Sequence, residues 1–365
     1  MIINDIYLKN FRNYDELKIK FHKNINIIYG KNGQGKSNLL ESIFVLGLTK
    51  SHRSSIDSFL IKDEKEFSKI LVNIQTTNFN KKLEIILTKD EKKMIIDNNE
   101  VKKISEYIST LNVIIFYPED LEIVKGGPSI RRKLLNTELS NLEINYYKVL
   151  SEYNKILKMK NEYLRNNNID MNYLEIINKY FINKALLIYQ MRKKFISKLN
   201  EYVEKIYFDI MNTKGFRIEY EIKDFDNEIN IENIRKVLEK NRKLEIITKK
   251  VLFGPHRDDL KFYINGKNLN SYGSQGQQRA AVLTFKLSLI ELYKKIKNKT
   301  PILLLDDVFS ELDKNKKNNL LKYIKNDIQT IITTTELDNI NEEILNIAKL
   351  IEIENGAVVE MKEVE

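Results

Sequence analysis

The stretch "IIYGKNGQGKSNLL", residues 27–40, sets three glycines, Lys36 and Ser37 between a short apolar run and a helix-like pattern. Its eight residues Gly30, Lys31, Asn32, Gly33, Gln34, Gly35, Lys36 and Ser37 match the P-loop pattern G-x-x-x-x-G-K-[ST]. Ile27-Ile28-Tyr29 reads as the strand before the loop, and "NLLESIFVLGL" as the helix after it. The glycines let the backbone turn its N–H groups inward around a phosphate. Lys36 then reaches the terminal phosphates, and the Ser37 hydroxyl can ligate Mg²⁺.

A nucleotide site of this kind needs a second metal carboxylate, and "ILLLDDVF" supplies one. Asp306 follows four apolar residues, where a strand end would deliver its carboxylate next to Ser37 and the Mg²⁺. Asp307 is then placed to orient or deprotonate the attacking water. The expected catalytic set is Lys36, Asp306 and Asp307, with Ser37 and Asp306 as metal ligands and ATP with Mg²⁺ as cofactors.

Composition bounds the rest. The chain has 365 residues, 42% of them hydrophobic and 31% charged, enough for a large core and two structural units. Without cysteine, neither disulfides nor thiolate metal sites are available, and the three histidines (His22, His52, His256) are scattered. The N-terminal "MIINDIYLKNF" shows no charged-then-apolar leader, and no window reaches the roughly 18 apolar residues of a membrane span. A soluble, cytoplasmic protein without a membrane partner is expected.

Between Pro128 and Gly215 lie 86 residues with neither glycine nor proline. Apolar residues recur there at helical spacing, as in Leu135, Leu139, Leu142, Tyr146, Val149 and Tyr153. The polar cluster "RNNNID", residues 165–170, marks a turn, so two long helices folding back on each other are expected, each on the order of 50 Å long. This arm carries 16 Lys+Arg against 9 Asp+Glu, an excess of +7, and leaves +3 of the total +10 for the remaining chain. Such an excess suits a polyanionic partner but also a plain solvated surface.

On either side of the arm the pattern is mixed. "MIINDIYL", "ELKIKF", "NINIIYG", "KKLEIILT" and "KMIID" read as short strands. "FRIEYEIK" alternates strictly, and "LKFYINGKNL" contains Asn265-Gly266, a strong signal for a tight hairpin. From Gln277 the sequence reads as helix; "PILLLDD" and "TIITTTEL" read as buried parallel strands. The expectation is an α/β head assembled from an N-terminal part (1–118, with the P-loop) and a C-terminal part (250–365), with a mainly helical arm (119–249) inserted.

Two segments resemble those of ABC-type ATPases. "YGSQGQQRAAVLTF", with Ser274, Gln275, Gly276, Gln277 and Gln278 just before a helix, is similar to the signature motif; a serine hydroxyl and free N–H groups at a helix N-terminus suit an anion such as a γ-phosphate. "SELD", Ser310, Glu311, Leu312 and Asp313, resembles the D-loop. The resemblance implies that the signature of one subunit closes on nucleotide held by the P-loop of another, so that ATP holds a dimer together and hydrolysis releases it. ATP can drive such closure only by binding the closed state more tightly.

The chain further resembles the RecF family of bacterial recombination mediators, related to the structural-maintenance-of-chromosomes proteins. The resemblance rests on "LKNFRNYDEL" (8–17), "GQGKSNLLE", "TKSHRSS" (49–55), "FYPEDLEIVKGGPSIRRKLLN" (116–136), "FGPHRDDL" (253–260), "YGSQGQQR" (272–279) and "LLLDDVFSELD". It implies an ATP-dependent homodimer that binds double-stranded and gapped DNA and acts with RecR and RecO to help load RecA, in DNA repair, replication and the SOS response to DNA damage. Roles near the nucleotide or an interface are implied for Arg12, Asn13, His256 and Arg257. The chain departs from the wider class in three places: "FYPEDLE" has no glutamine, Thr334 and Thr335 stand where a histidine often follows the strand, and Asp307 stands where many members use Glu. These departures predict slow, DNA-stimulated hydrolysis. A transporter ATPase subunit conflicts with the 86-residue arm, and a fused nuclease with the 52 residues left after Asp313. A scaffold that binds ATP without hydrolysing it is the third alternative.

Overall fold

The computed structural model describes residues 1–362 apart from 77–78, 109, 224, 226–227, 310–315, 318 and 321–327. The D-loop residues Ser310, Glu311, Leu312 and Asp313 lie outside the described residues. The chain forms two compact units, Met1–Asp120 with Asp209–Met211 and Leu283–Glu365, and Leu121–Phe208 with Asn212–Val282.

The first unit is α/β. Its mostly parallel six-stranded sheet runs in the order Ala357–Lys362, Ala348–Glu354, Ile25–Tyr29, Thr330–Thr334, Ile302–Asp306, Val113–Phe116. All neighbours are parallel except the edge pair Ala348–Glu354 and Ala357–Lys362. The P-loop strand and the Asp306 strand are thus not adjacent; Thr330–Thr334 lies between them. The strands Ile302–Asp306 and Thr330–Thr334 are buried at every position, as a parallel strand covered on both faces requires. The predicted union of N- and C-terminal parts in one sheet is therefore found.

A second, antiparallel sheet runs Tyr14–Lys20, Ile2–Phe11, Phe67–Gln75, Asn80–Thr88, Lys92–Ile96, Asn99–Glu100. Helix Lys36–Leu48 packs against strands of both sheets. A helix covered from two sides must be apolar nearly all round, and "KSNLLESIFVLGL" leaves only Ser37, Asn38 and Phe44 outside its buried set. Leu39, Leu40, Ile43 and Leu46 join Ile28, Ile302, Leu304 and Ile331 of one sheet and Ile6, Ile70, Val72, Leu83 and Ile85 of the other in a single core.

The second unit holds helices Pro128–Leu142, Ile144–Tyr163 and Ile231–Thr248 and all but the last three residues of helix Met171–Met211, with a sheet of Phe216–Glu221, Asp259–Ile264 and Lys267–Asn268. Asn265 and Gly266 both take positive φ (48° and 77°), so the predicted hairpin is a two-residue turn of the mirror-image kind that matches strand twist. The "RNNNID" turn separates the arm helices, and the second, 41 residues long, spans about 60 Å. The first arm helix, expected to be continuous, is broken at Glu143, which is extended (φ −130°, ψ 103°). No glycine or proline causes the break. Leu139, Leu142 and Tyr146 are buried on both sides of it, so redirecting the chain keeps each apolar stripe covered.

Residues 250–282, expected with the head, belong instead to the unit of the arm helices. Asp259–Ile264 pairs along its whole length with Phe216–Glu221, and just before this segment the Glu245 carboxylate meets the Lys160 ammonium at 2.9 Å. Strands Phe67–Gln75, Val113–Phe116, Ala348–Glu354 and Ala357–Lys362 do not stand out in the sequence.

Candidate nucleotide site

Three glycines of the P-loop take positive φ, which other residues adopt rarely and at a cost: 145° at Gly30, 80° at Gly33 and 112° at Gly35. At two of them space is also decisive. A Cβ on Gly30 would lie 2.3 Å from the carbonyl oxygen of Ile353, and one on Gly35 within 3 Å of the Asn13 and Tyr14 side chains. The loop is held from outside by the segment "FRNY": Tyr14 Oη donates to the Gly35 carbonyl (2.8 Å) and Asn13 Nδ2 to the Gln34 carbonyl (3.2 Å). The Gly356 amide donates to the same Gln34 carbonyl (3.2 Å). Lys31, Asn32 and Gly33 form the exposed tip.

Lys36 turns back over the loop and donates to the carbonyls of Gly30 (2.6 Å) and Lys31 (2.8 Å). Burial lowers its pKa, and the charges of Asp307 and Asp306 work against that shift. The ammonium is a partly desolvated cation inside a ring of backbone dipoles, which an incoming polyphosphate would relieve.

Ser37 Oγ donates to Asp306 Oδ1 at 2.8 Å, joining residues 269 positions apart. Thr333 Oγ1 donates to the same carboxylate oxygen at 2.6 Å and accepts the Asp307 N–H at 3.1 Å. The parallel register explains this: Asp306 pairs with Thr333, and Thr333 with Ile28 of the P-loop strand. Burial raises the Asp306 pKa, opposed by the hydrogen bonds from Thr333 and Ser37 and by the charge of Arg53. A hydroxyl and a carboxylate oxygen in direct contact are the hard donors that suit Mg²⁺, so the pair fits the cation. Asp307 leaves the strand with φ 50°, a left-handed conformation that costs a non-glycine residue about 1 kcal/mol or more and turns it out of the sheet's regular path.

Lys36, Ser37, Asp306 and Asp307 thus come together in the first unit. Ser274, Gln275, Gly276 and Gln277 belong to the second. There Ser274 and Gln277 cap the helix Gln275–Lys297 reciprocally: the Ser274 N–H donates to Gln277 Oε1 (2.9 Å) and the Gln277 N–H to Ser274 Oγ (3.3 Å). Gln278 points inward and donates to the Leu269 carbonyl (3.0 Å), while Gln275 and Tyr272 are exposed, the latter by 74%.

Several residues of the site are not singled out by sequence. Thr333 lies inside an apolar run, and its polar side chain in a buried strand is the available signal. Glu41 is wholly buried on the P-loop helix and accepts from Arg12 Nε (2.9 Å), Arg12 Nη2 (2.7 Å) and the Ser51 hydroxyl. Burial is the largest single influence on its pKa and would raise it, but those bonds and the charges of Arg12 and Arg53 together hold it below the ordinary value. Arg12, implied near the nucleotide, is thereby tied to Glu41, and Asn13 to the loop itself and to Asn38 Nδ2 (2.9 Å). Arg53 donates to Asn38 Oδ1 (2.8 Å), one residue beyond Ser37. His256 accepts from Tyr153 Oη at Nδ1 (2.6 Å), because its Nε2 faces the Val251 carbonyl (3.4 Å), which can only accept.

The sequence profile of the RecF/RecN/SMC N terminal domain matches residues 2–358. A Staphylococcus aureus (strain JH9) protein, "DNA replication and repair protein RecF", is 40% identical over 370 residues, covering 98% of this chain and all of the relative. The solved structure of the recombination mediator protein RecF with ATP, described as part of the RecFOR pathway, superposes with a TM-score of 0.90 at 33% identity, covering 99% of this chain and 97% of that one. An Smc head bound to the C-winged helix domain of ScpA, at 15% identity and TM-score 0.56 over 99% and 98% of the two chains, shares the fold. The chain belongs to the RecF family of ABC-type, SMC-related ATPases.

Proposed function

We propose that this protein is an ATP-dependent DNA-binding ATPase of recombinational repair, which dimerises with ATP on gapped duplex DNA and helps RecR and RecO load RecA. The observation that carries the nucleotide part is the direct contact of Ser37 Oγ with Asp306 Oδ1 at 2.8 Å beside Lys36. In this reading Gly30 to Ser37 cradle the β- and γ-phosphates, and Lys36 exchanges its loop carbonyls for phosphate oxygens. Ser37 and Asp306 would hold Mg²⁺, whose charge offsets that of the phosphates. Thr333 keeps the Asp306 carboxylate aimed, and Asp307 takes or orients the proton of the attacking water.

The exposed, reciprocally capped Ser274–Gln277 segment supports a composite site completed by a second copy, in which a γ-phosphate meets the helix N-terminus. The helical unit is then the arm of a head formed by the two chain ends. Among the described residues no helix is long and apolar enough to cross a membrane, and we place the protein in the cytoplasm with its DNA. Asp307 in place of Glu and the threonines at 334 and 335 favour slow hydrolysis, stimulated by DNA, that resets the dimer; Thr334 is itself engaged with the Glu336 carbonyl (2.9 Å).

Sedimentation with and without ATP and gapped duplex DNA tests this reading. Wild type should gain dimer mass with ATP and Lys36→Met should not; no gain for wild type would rule out the ATP-held dimer. Phosphate release that is equal in Asp307→Asn and wild type would favour the non-hydrolysing scaffold instead.

A further inference from the structure

The turn Phe253–Asp259 of the second unit plays no part in the nucleotide chemistry above, yet it is tied down from several sides. Gly254 stands at φ 143°, and a Cβ there would meet Tyr153 Oη at 2.5 Å and a Phe181 ring carbon at 2.8 Å. His256 is held between Tyr153 and the Val251 carbonyl. Asp258 accepts from the Tyr220 hydroxyl, from the Lys223 N–H (3.4 Å) and from Arg192 Nη1 (3.4 Å). Arg192 is itself 1% exposed and bonds Asn136 Oδ1 (2.8 Å), Tyr146 Oη (3.0 Å) and the Pro255 carbonyl (2.8 Å). Asp259 takes the Arg131 fork at both oxygens (2.7 and 2.9 Å).

Charge on this turn does not cancel. Arg192 offsets Asp258 and Arg131 offsets Asp259, which leaves Arg132 and Arg257. Arg132 Nη1 donates only to a neutral acceptor, the Asp258 carbonyl (2.7 Å), and that bond sets its head beside the residue next to Arg257. Among the described residues neither arginine forms an ion pair with a carboxylate, and both are half-buried. Burial first, then the charges of Arg257 and Arg132, push the His256 pKa down to about 4, so both guanidiniums lie within electrostatic range of one ring. One fork-shaped donor on a locked turn and a second on the helix beside it, neither in a contact ion pair with a carboxylate among the described residues, suit an external anion.

We propose that Arg132 and Arg257 form a binding site for backbone phosphates of nucleic acid. It rests on the reading that the chain binds DNA and names where part of that binding takes place. The turn offers no glycine cradle and no metal carboxylate of the kind a triphosphate needs, whereas a phosphodiester requires only charge and hydrogen-bond donors. Half-buried guanidiniums hold such a phosphate without reading sequence.

The test uses the full chain with ATP and a fluorescent gapped duplex, titrated by anisotropy at several salt concentrations. Arg257→Gln and Arg132→Gln should each weaken DNA binding about eight-fold near ~0.1 M salt and reduce the logarithmic salt slope by about 0.9. Arg257→Lys should retain the slope. ATP affinity of the same variants, from a fluorescent nucleotide, should stay at the wild-type value. The proposal is overturned if wild type binds DNA and both glutamine variants bind with the same affinity and slope. A fall in ATP affinity matching the fall in DNA affinity would also overturn it, since the site would then serve nucleotide. If wild type itself bound no DNA, the functional reading would fall, and this site with it. Arg257→Gln removes no ion pair among the described residues and should melt as wild type does; should it not fold, Arg132→Gln with Arg257→Lys carries the comparison.

Discussion

At the scale of single residues, the site depends on one carboxylate oxygen. Asp306 Oδ1 accepts from both Ser37 and Thr333, and Thr333 also accepts the Asp307 N–H. One threonine hydroxyl therefore aims two acidic residues. Thr333→Val keeps the β-branched shape of a buried strand position but removes both bonds. A hydrogen bond to a charged group contributes about 1.5–3 kcal/mol, so phosphate release should fall at least roughly ten-fold. ATP affinity should change far less, because the P-loop and Lys36 remain, and Thr333→Ser should restore most of the rate. A fall in affinity as large as the fall in rate would instead assign Thr333 to ground-state binding. The P-loop, Asp306 and Asp307 were legible because each is a local pattern of residue types. Thr333 was not, since its role comes from the register that sets it opposite Asp306.

At the scale of elements, the helical unit is pinned by buried polar pairs as well as apolar stripes. Lys160 of helix Ile144–Tyr163 and Glu245 of helix Ile231–Thr248 meet at 2.9 Å, with residue exposures of 1% and 3%. Burial lowers the Lys160 pKa while Glu245 raises it, and Glu245 Oε1 also accepts the Leu252 N–H (2.8 Å). Lys160→Met would leave an uncompensated buried carboxylate and should cost about 3–5 kcal/mol in chemical denaturation, whereas adding Glu245→Gln should recover most of that loss. An unchanged midpoint for Lys160→Met would show that water reaches Glu245. Helical periodicity announced the helices on either side of the "RNNNID" turn and the turn itself, but not helix Ile231–Thr248. It did not announce the break at Glu143, because each half is a good amphipathic helix and only the direction of its covered face differs.

At the scale of the whole molecule, two histidines each link folding to pH. His52, between Phe44 and Tyr117 at ring distances of 5.0 and 4.6 Å, has its pKa pushed down to about 4 chiefly by burial, and His256 is likewise pushed down to about 4. Their unfolded values lie near 6.5, so between about pH 6.5 and 4 each histidine binds more proton in the unfolded chain than in the folded one, whereas Asp120 and Asp258, raised to about 6 chiefly by burial, do the reverse. The share of stability due to the histidines is therefore fully present above pH ~6.5 and is lost as pH falls toward 4, by on the order of 1–3 kcal/mol for each, while the two aspartates add stability over much of the same range. Melting temperatures at pH 7 and 5 isolate the His52 share: in His52→Phe, which keeps the aromatic packing, the value at pH 5 should rise relative to that at pH 7 compared with wild type. A pH profile identical in that variant would remove His52 from the account. What the sequence determined by itself is everything set within a few residues: the glycine-dependent P-loop, the Asn265-Gly266 hairpin, the buried apolar strands ending in carboxylates, and the helical arm. Only the tertiary structure decided which distant residues meet: Ser37 with Asp306 across 269 positions, the Glu41 carboxylate with two loops, and residues 250–282 with the arm helices. The physical reason is that local patterns report backbone geometry and which face seeks burial. The partner that satisfies each buried polar group is fixed by strand order and register, and those emerge only when separated segments pack.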